Sequence, residues 1–248
     1  MTSPAARPRL IVVDWARTAA LLAMAIFHFG RDFEVLGLVP PGTTFGGWWD
    51  ISARAIAGSF LFLAGLSLWL AHGRGIRWRG FLGRLGWLVA AAAGVSLVTW
   101  VAMPTIWVRF GILHSIALSS VVSLAFLRLP WWITAICAGA ILWFGPSLSS
   151  GAFDAPTWIW TGLGTVTPPM MDYEPLIPWL APMLLGVAAG RLGTATGVWT
   201  WLTHWPAPKR PWHLAVARPG QHSLLIYLVH QPVLIALITA GAWLWGHV

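Results

Sequence analysis

Residues 10–29 read LIVVDWARTAALLAMAIFHF. At about 1.5 Å rise per residue, a helix of this length covers roughly 30 Å, the thickness of a bilayer's hydrocarbon core. Three ionisable residues, Asp14, Arg17 and His28, interrupt the otherwise apolar run. On a helix advancing about 100° per residue, Arg17 lies roughly 60° from Asp14, and His28 returns to within about 20° of Arg17, so the three share one stripe. His28 stands roughly 16 Å further along the axis than Arg17. Charge in hydrocarbon is expensive, so the stripe faces other helices or a polar cavity. It is either a buried pair that fixes helix packing or a functional polar track.

The rest of the chain has the same character. Of 248 residues, 58% are hydrophobic and 9% charged, too few polar groups to cover a soluble surface, and the 20 tryptophans suit helix ends at lipid headgroups. Further apolar stretches at 49–70, 81–103, 106–127, 131–148, 176–191 and 221–245 predict, with the first, about seven spans of an all-α polytopic transmembrane bundle. There is no internal repeat and no soluble domain, so residues 1–248 are expected to form a single transmembrane domain. Small residues at Gly58, Ala64, Gly65 and Ser67 suit close helix contacts.

A net charge of +8 raises the question of nucleic acid, but the placement of the charges answers it. Alternating the spans from a cytoplasmic N-terminus puts Arg7, Arg9, Arg74, Arg77, Arg79, Arg84, Arg128, Arg191, Lys209, Arg210 and Arg218 inside. Asp32, Glu34, Asp50, Asp154, Asp172 and Glu174 then fall on the outer side or at outer helix ends. This is the positive-inside pattern, with the N-terminus inside and the C-terminus outside, and it makes a lipid bilayer the expected partner and excludes nucleic acid. The single cysteine, Cys137, excludes an intrachain disulfide.

Three connections exceed a simple turn. Residues 30–48 lie outside, next to His28, and carry Arg31, Asp32 and Glu34. Residues 149–175, also outside, end in Asp172, Tyr173, Glu174 and Pro175. Residues 193–219 lie inside, where Trp199, Trp201, Trp205 and Trp212 beside Lys209 and Arg210 read as a segment on the inner headgroups. Polar groups recur within the spans as well. Arg109 sits near the outer end of the fourth with His114 about one and a half turns deeper, and Ser223, Tyr227 and His230 share a face of the seventh, flanked by Gln221, His222 and Gln231. Several polar faces in one small bundle favour a polar interior.

Ligation of haem by two histidines requires matched depths on facing helices. His28 reads as near the outer surface, His114 as some 10 Å further in by helical rise, and His230 as mid-membrane. No zinc-type spacing is present, so neither metal nor haem is expected. Acyl transfer fits better. A histidine serves as general base or carries an acyl group, and an anionic donor such as coenzyme A needs a basic surface, which Arg74, Arg77 and Arg84 supply. The positive-inside rule alone also accounts for arginines there.

The succession Arg9, Asp14-x-x-Arg17, Met24, His28, then Phe60-Leu61-Phe62-Leu63-Ala64-Gly65, resembles the catalytic domain of heparan-alpha-glucosaminide N-acetyltransferases, most closely their short bacterial branch. So do residues 110–116 around His114, residues 172–179 from Asp172 and Tyr173 to Trp179, and residues 222–232 with Tyr227, His230 and Gln231. Arg17 and His28 also resemble the Arg-x10-His signature of acyltransferase-3 membrane acyltransferases. The resemblance implies transfer of acetyl from cytoplasmic acetyl-CoA to a sugar or amine on the far side, with a bacterial inner membrane as the location. It departs at one point: where the lysosomal enzyme has an asparagine this chain has His28, and residues 31–50 lack the loop histidine that is catalytic there.

Under that resemblance His28, Arg17 and Asp14 are the catalytic candidates, and Arg74, Arg77 and Arg84 hold the donor. Arg109, His114, Asp172, Tyr173, Tyr227, His230 and Gln231 receive the acceptor. Two other functions remain open, a proton-coupled transporter using the same buried residues and a non-catalytic membrane subunit. A homo-oligomer is compatible with either.

Overall fold

The computed structural model describes residues 10–204, 211–244 and 246. Arg7, Arg9, Trp205, Lys209 and Arg210 lie outside the described residues. The elements are α1 (Ile11–Val35), α2 (Gly47–His72), α3 (Trp78–Ala102), α4 (Ile112–Ser123), α5 (Trp131–Phe144), α6 (Leu176–Ala195), α7 (Val198–His204), α8 (Pro211–Gln221) and α9 (Ser223–Leu244), with short 3-10 turns between some of them and no strand among the described residues. Six stretches are long and apolar enough to cross a bilayer: α1, α2, α3, α5 with the turn that follows it, α6 and α9. A shorter apolar stretch, Ile112–Arg128, makes the seventh, so the protein is an integral, all-α polytopic membrane protein. Its large apolar side chains point outward in number, Trp87 and Trp143 among the most exposed, as lipid rather than water as the solvent requires.

Two expected boundaries move. α1 continues beyond the apolar run to Val35, so Arg31, Asp32 and Glu34 are helical rather than part of the outer loop. Its end is then turned by Glu34, whose carboxylate accepts from the backbone N–H groups of Gly42 and Thr44 and from the Thr44 hydroxyl. The fourth span begins only at Ile112. Residues 106–110 are not helical, and two of their carbonyls are used by a distant segment: Ile106 accepts from Met171 N–H and Phe110 from Glu174 N–H.

The described residues form two compact units, with the boundary inside α2: one comprises the chain up to Ile56 and from Thr196 onward, the other Ala57–Ala195. In the first, α8 and α9 both pack on α1. α8 approaches closely because Gly220 has no side chain, and a Cβ there would stand 2.0 Å from the Asp14 carbonyl oxygen. The expected headgroup segment is thus in part a helix packed on α1. In the second unit α5 and α6 enclose a core of Ala138, Leu180, Ala181 and Leu184, joined by Cys137. The α2 and α6 backbones touch at Gly65 and Gly186, where a Cβ would fall 2.0 Å from the carbonyl oxygens of Met183 and Phe62 respectively. This is the small-residue contact expected of Gly65.

Candidate functional site

In the first unit the polar stripe of α1 is covered by two helices in turn. At its beginning, the buried Asp14 carboxylate accepts from Arg17 (3.0 Å) on one oxygen and from the Gln221 amide (3.3 Å) on the other. Thr18, one turn on, donates to the Val216 carbonyl (2.7 Å) and accepts from Gly220 N–H (2.9 Å), while the Trp15 indole donates to the His213 carbonyl (3.0 Å). Asp14 and Arg17 therefore belong to the seam that holds α8 on α1.

Further along, α9 meets α1 at a group of four polar side chains. The rings of His28 and His230 stand edge to face with centroids 5.0 Å apart. Asp32, one turn beyond His28 and 1% exposed, accepts from the Gln231 amide at 2.6 Å. His230 Nδ1 lies 2.5 Å from the Tyr227 carbonyl oxygen. A carbonyl only accepts, so Nδ1 carries the proton and Nε2 keeps its lone pair. His28 and His230 had been read at different depths. They meet where α9 packs on α1. Unequal depth therefore does not separate the two rings, but at this edge-to-face separation they leave no room for an iron ligated from opposite sides.

Asp32 was missed in the sequence because the charged triplet at 31–34 looked like a loop. Its signal was the i, i+4 spacing from His28, which puts both on one helical face.

In the second unit the candidates form a separate group, built by the pairing of residues 106–110 with 171–174. Phe110 and Tyr173 form a parallel bridge there. Asp172 accepts from Ile112 N–H at 2.9 Å, supplying from a distant segment the cap that α4 lacks locally. Burial pushes its carboxyl up to about 6, against the opposing pull of that N–H. The Tyr173 hydroxyl donates to the Ile159 carbonyl (2.9 Å), and burial raises its pKa. His114 is engaged at both nitrogens, accepting from Gly111 N–H (3.3 Å) and meeting the Ser96 hydroxyl (3.3 Å), which itself donates to the Val108 carbonyl (2.7 Å). Arg109 precedes α4 and lies over the Trp107 ring, 5.6 Å from its centroid. Arg74, Arg77 and Arg84 are exposed, from the α2–α3 connection into the first turns of α3, where Arg77 N–H donates to His72 Nδ1 (3.2 Å).

The sequence model for the catalytic region of heparan-alpha-glucosaminide N-acetyltransferase matches residues 9–232. The chain belongs to that family. No curated protein and no solved structure matches it. Membership of the heparan-alpha-glucosaminide N-acetyltransferase family puts the protein among membrane acetyltransferases. Both polar groups fall inside the matched region. The one on α1 and α9 joins two histidines with a carboxylate and an amide, whereas in the second Asp172 and Tyr173 are each bonded to a backbone group.

Proposed function

We propose that the protein is one transmembrane acyltransferase domain that moves an acetyl or short acyl group from cytoplasmic acetyl-CoA to a sugar or amine on the outer side of a bacterial inner membrane. The observation that carries this reading is the pairing of His28 with His230 inside a matched acetyltransferase region. A partly buried imidazole can serve as a nucleophile or a base, the two roles acyl transfer needs. Arg74, Arg77 and Arg84, exposed and grouped, suit the phosphates of coenzyme A. The inner placement of the arginines supports a cytoplasmic donor. Asp14 and Arg17 keep α1 and α8 in register behind His28. Tyr227, His230 and Gln231 of the first unit bind the acceptor, and Arg109, His114, Asp172 and Tyr173 of the second are further acceptor-binding residues.

Purified protein given radiolabelled acetyl-CoA and a panel of amino sugars, sugars and amines is expected to release CoA and label an acceptor. His28→Ala is expected to reduce this to the blank. Identical behaviour of wild type and His28→Ala would remove His28 from the mechanism.

A further inference from the structure

We infer that the second unit binds the phosphate of an anionic lipid through Arg191 of α6 and Arg128, the last residue of the 3-10 turn Leu124–Arg128 that follows α4. The inference does not rest on the acyl-transfer reading. Arg191 is half-buried and held by two contacts. Its Nη1 donates to the Leu127 carbonyl (3.3 Å), at the end of that turn, where helical partners run out. Its guanidinium lies over the Trp69 ring, 5.3 Å from the centroid. The ring is itself fixed by α6: the indole N–H donates to the Thr194 hydroxyl (2.9 Å), which donates to the Gly190 carbonyl (2.9 Å). Gly190 leaves room for it, since a Cβ there would stand 2.7 Å from the Trp69 side chain. Gly190, Arg191 and Thr194 thus seat the indole, and the indole and the Leu127 carbonyl orient the guanidinium.

These contacts do not exhaust the group. A guanidinium has several N–H donors, and Leu127 engages one. Among the described residues no carboxylate is paired with Arg191, so its charge is unanswered as well. Arg128 follows Leu127 directly and is exposed, so a second long cationic side chain starts one peptide away from the first one's anchor. Two cations with spare donors in planar forks suit the oxygens of one phosphate.

Depth and surroundings identify the source of that phosphate. Trp69 and Arg191 lie in the last turns of α2 and α6, Arg128 closes its own turn, and Trp131 opens α5, so the ends of these elements mark the headgroup level. Next to the arginines along the chain stand exposed apolar side chains, Trp131 and Trp132 after Arg128 and Leu192 after Arg191. A lipid sets its phosphate on the arginines and its acyl chains against such residues, whereas a nucleotide would lay a polar ligand on them.

Purified full-length protein in neutral detergent is titrated with phosphatidylglycerol and, separately, with phosphatidylcholine, and bound lipid is counted by native mass spectrometry. Wild type is expected to bind phosphatidylglycerol about tenfold more tightly than phosphatidylcholine. Arg191→Gln and Arg128→Gln are each expected to lower the affinity for phosphatidylglycerol about fivefold, and Arg79→Gln, which removes an exposed charge near the start of α3, by less than about twofold. Arg191→Lys keeps the charge without the fork and is expected to fall between wild type and Arg191→Gln. The exposed Arg128 decides the matter if Arg191→Gln does not fold. Equal affinity for the two lipids overturns the inference, as does unchanged affinity in Arg128→Gln. An equal loss in Arg79→Gln also overturns it, because it marks diffuse attraction by the basic end. Displacement of the lipid by coenzyme A overturns it in another way, by assigning these arginines to a nucleotide phosphate.

Discussion

At the residue scale, Asp172 is the titrating group with the clearest consequence outside the spans. Its pKa is raised in the folded protein to about 6 from an ordinary value of 3.8, chiefly by burial. The folded state therefore holds the proton more tightly than the unfolded chain. The stabilisation is complete below about pH 4 and is lost as the pH rises through about 6. Asp172→Asn keeps an oxygen for the Ile112 N–H and removes the titration. Thermal denaturation in detergent is expected to show wild type losing more stability than the variant between pH 4 and 6, by on the order of 2 kcal/mol. Parallel curves would mean the carboxyl ionises freely.

Asp14 is a buried carboxylate held by two side-chain donors. Its removal in Asp14→Ala takes a charged acceptor from both Arg17 and Gln221 and is expected to cost about 2–4 kcal/mol in unfolding. The same measurement on Asp14→Ala with Arg17→Leu should recover part of that loss, because the guanidinium that faced the carboxylate is removed with it. A double variant less stable than the single one would show that Arg17 packs independently of the pair.

At the scale of elements, the close contacts are made where side chains are missing. Gly65 and Gly186 let α2 and α6 approach until each glycine faces a carbonyl oxygen of the other helix. Gly186→Val places a Cβ against backbone that has no flexible end to move, so a cost of about 3 kcal/mol or more and a collapse of the monodisperse peak in size-exclusion chromatography are expected. Gly83, beside which a Cβ meets nothing within 4 Å, is the control and should tolerate alanine.

The elements also show how far local pattern reaches. The apolar runs located the spanning stretches to within a few residues because lipid leaves a backbone no option but helix. The end of α1 was not legible: Arg31, Asp32 and Glu34 look like a loop until Gln231 and the N–H groups of Gly42 and Thr44 supply their partners. The start of α4 was hidden for the same reason. Residues 106–110 are apolar enough for a helix, but two of their carbonyls are taken by Met171 and Glu174, some sixty positions away.

At the scale of the whole molecule, the arginine distribution sets an orientation that labelling can test. In a Cys137→Ser background, Arg74→Cys is expected to be protected from an impermeant maleimide added outside intact cells, and Thr167→Cys in the long α5–α6 connection to react. The reverse pattern would invert the topology and move the proposed donor to the other face.

The sequence by itself determined that this is a helical membrane protein of about seven spans, and its motifs identified the family. Hydrophobic length and charge bias are properties of each segment alone and need no partner to be read. The tertiary structure decided which polar residues meet. It joined Asp14 and Arg17 to Gln221 and α8, turned Asp172 and His114 toward backbone, and brought His230 and Gln231 to His28 and Asp32, about 200 positions away along the chain. A buried acceptor is satisfied by whatever donor folding brings within 3 Å, and that choice is made between helices rather than along them.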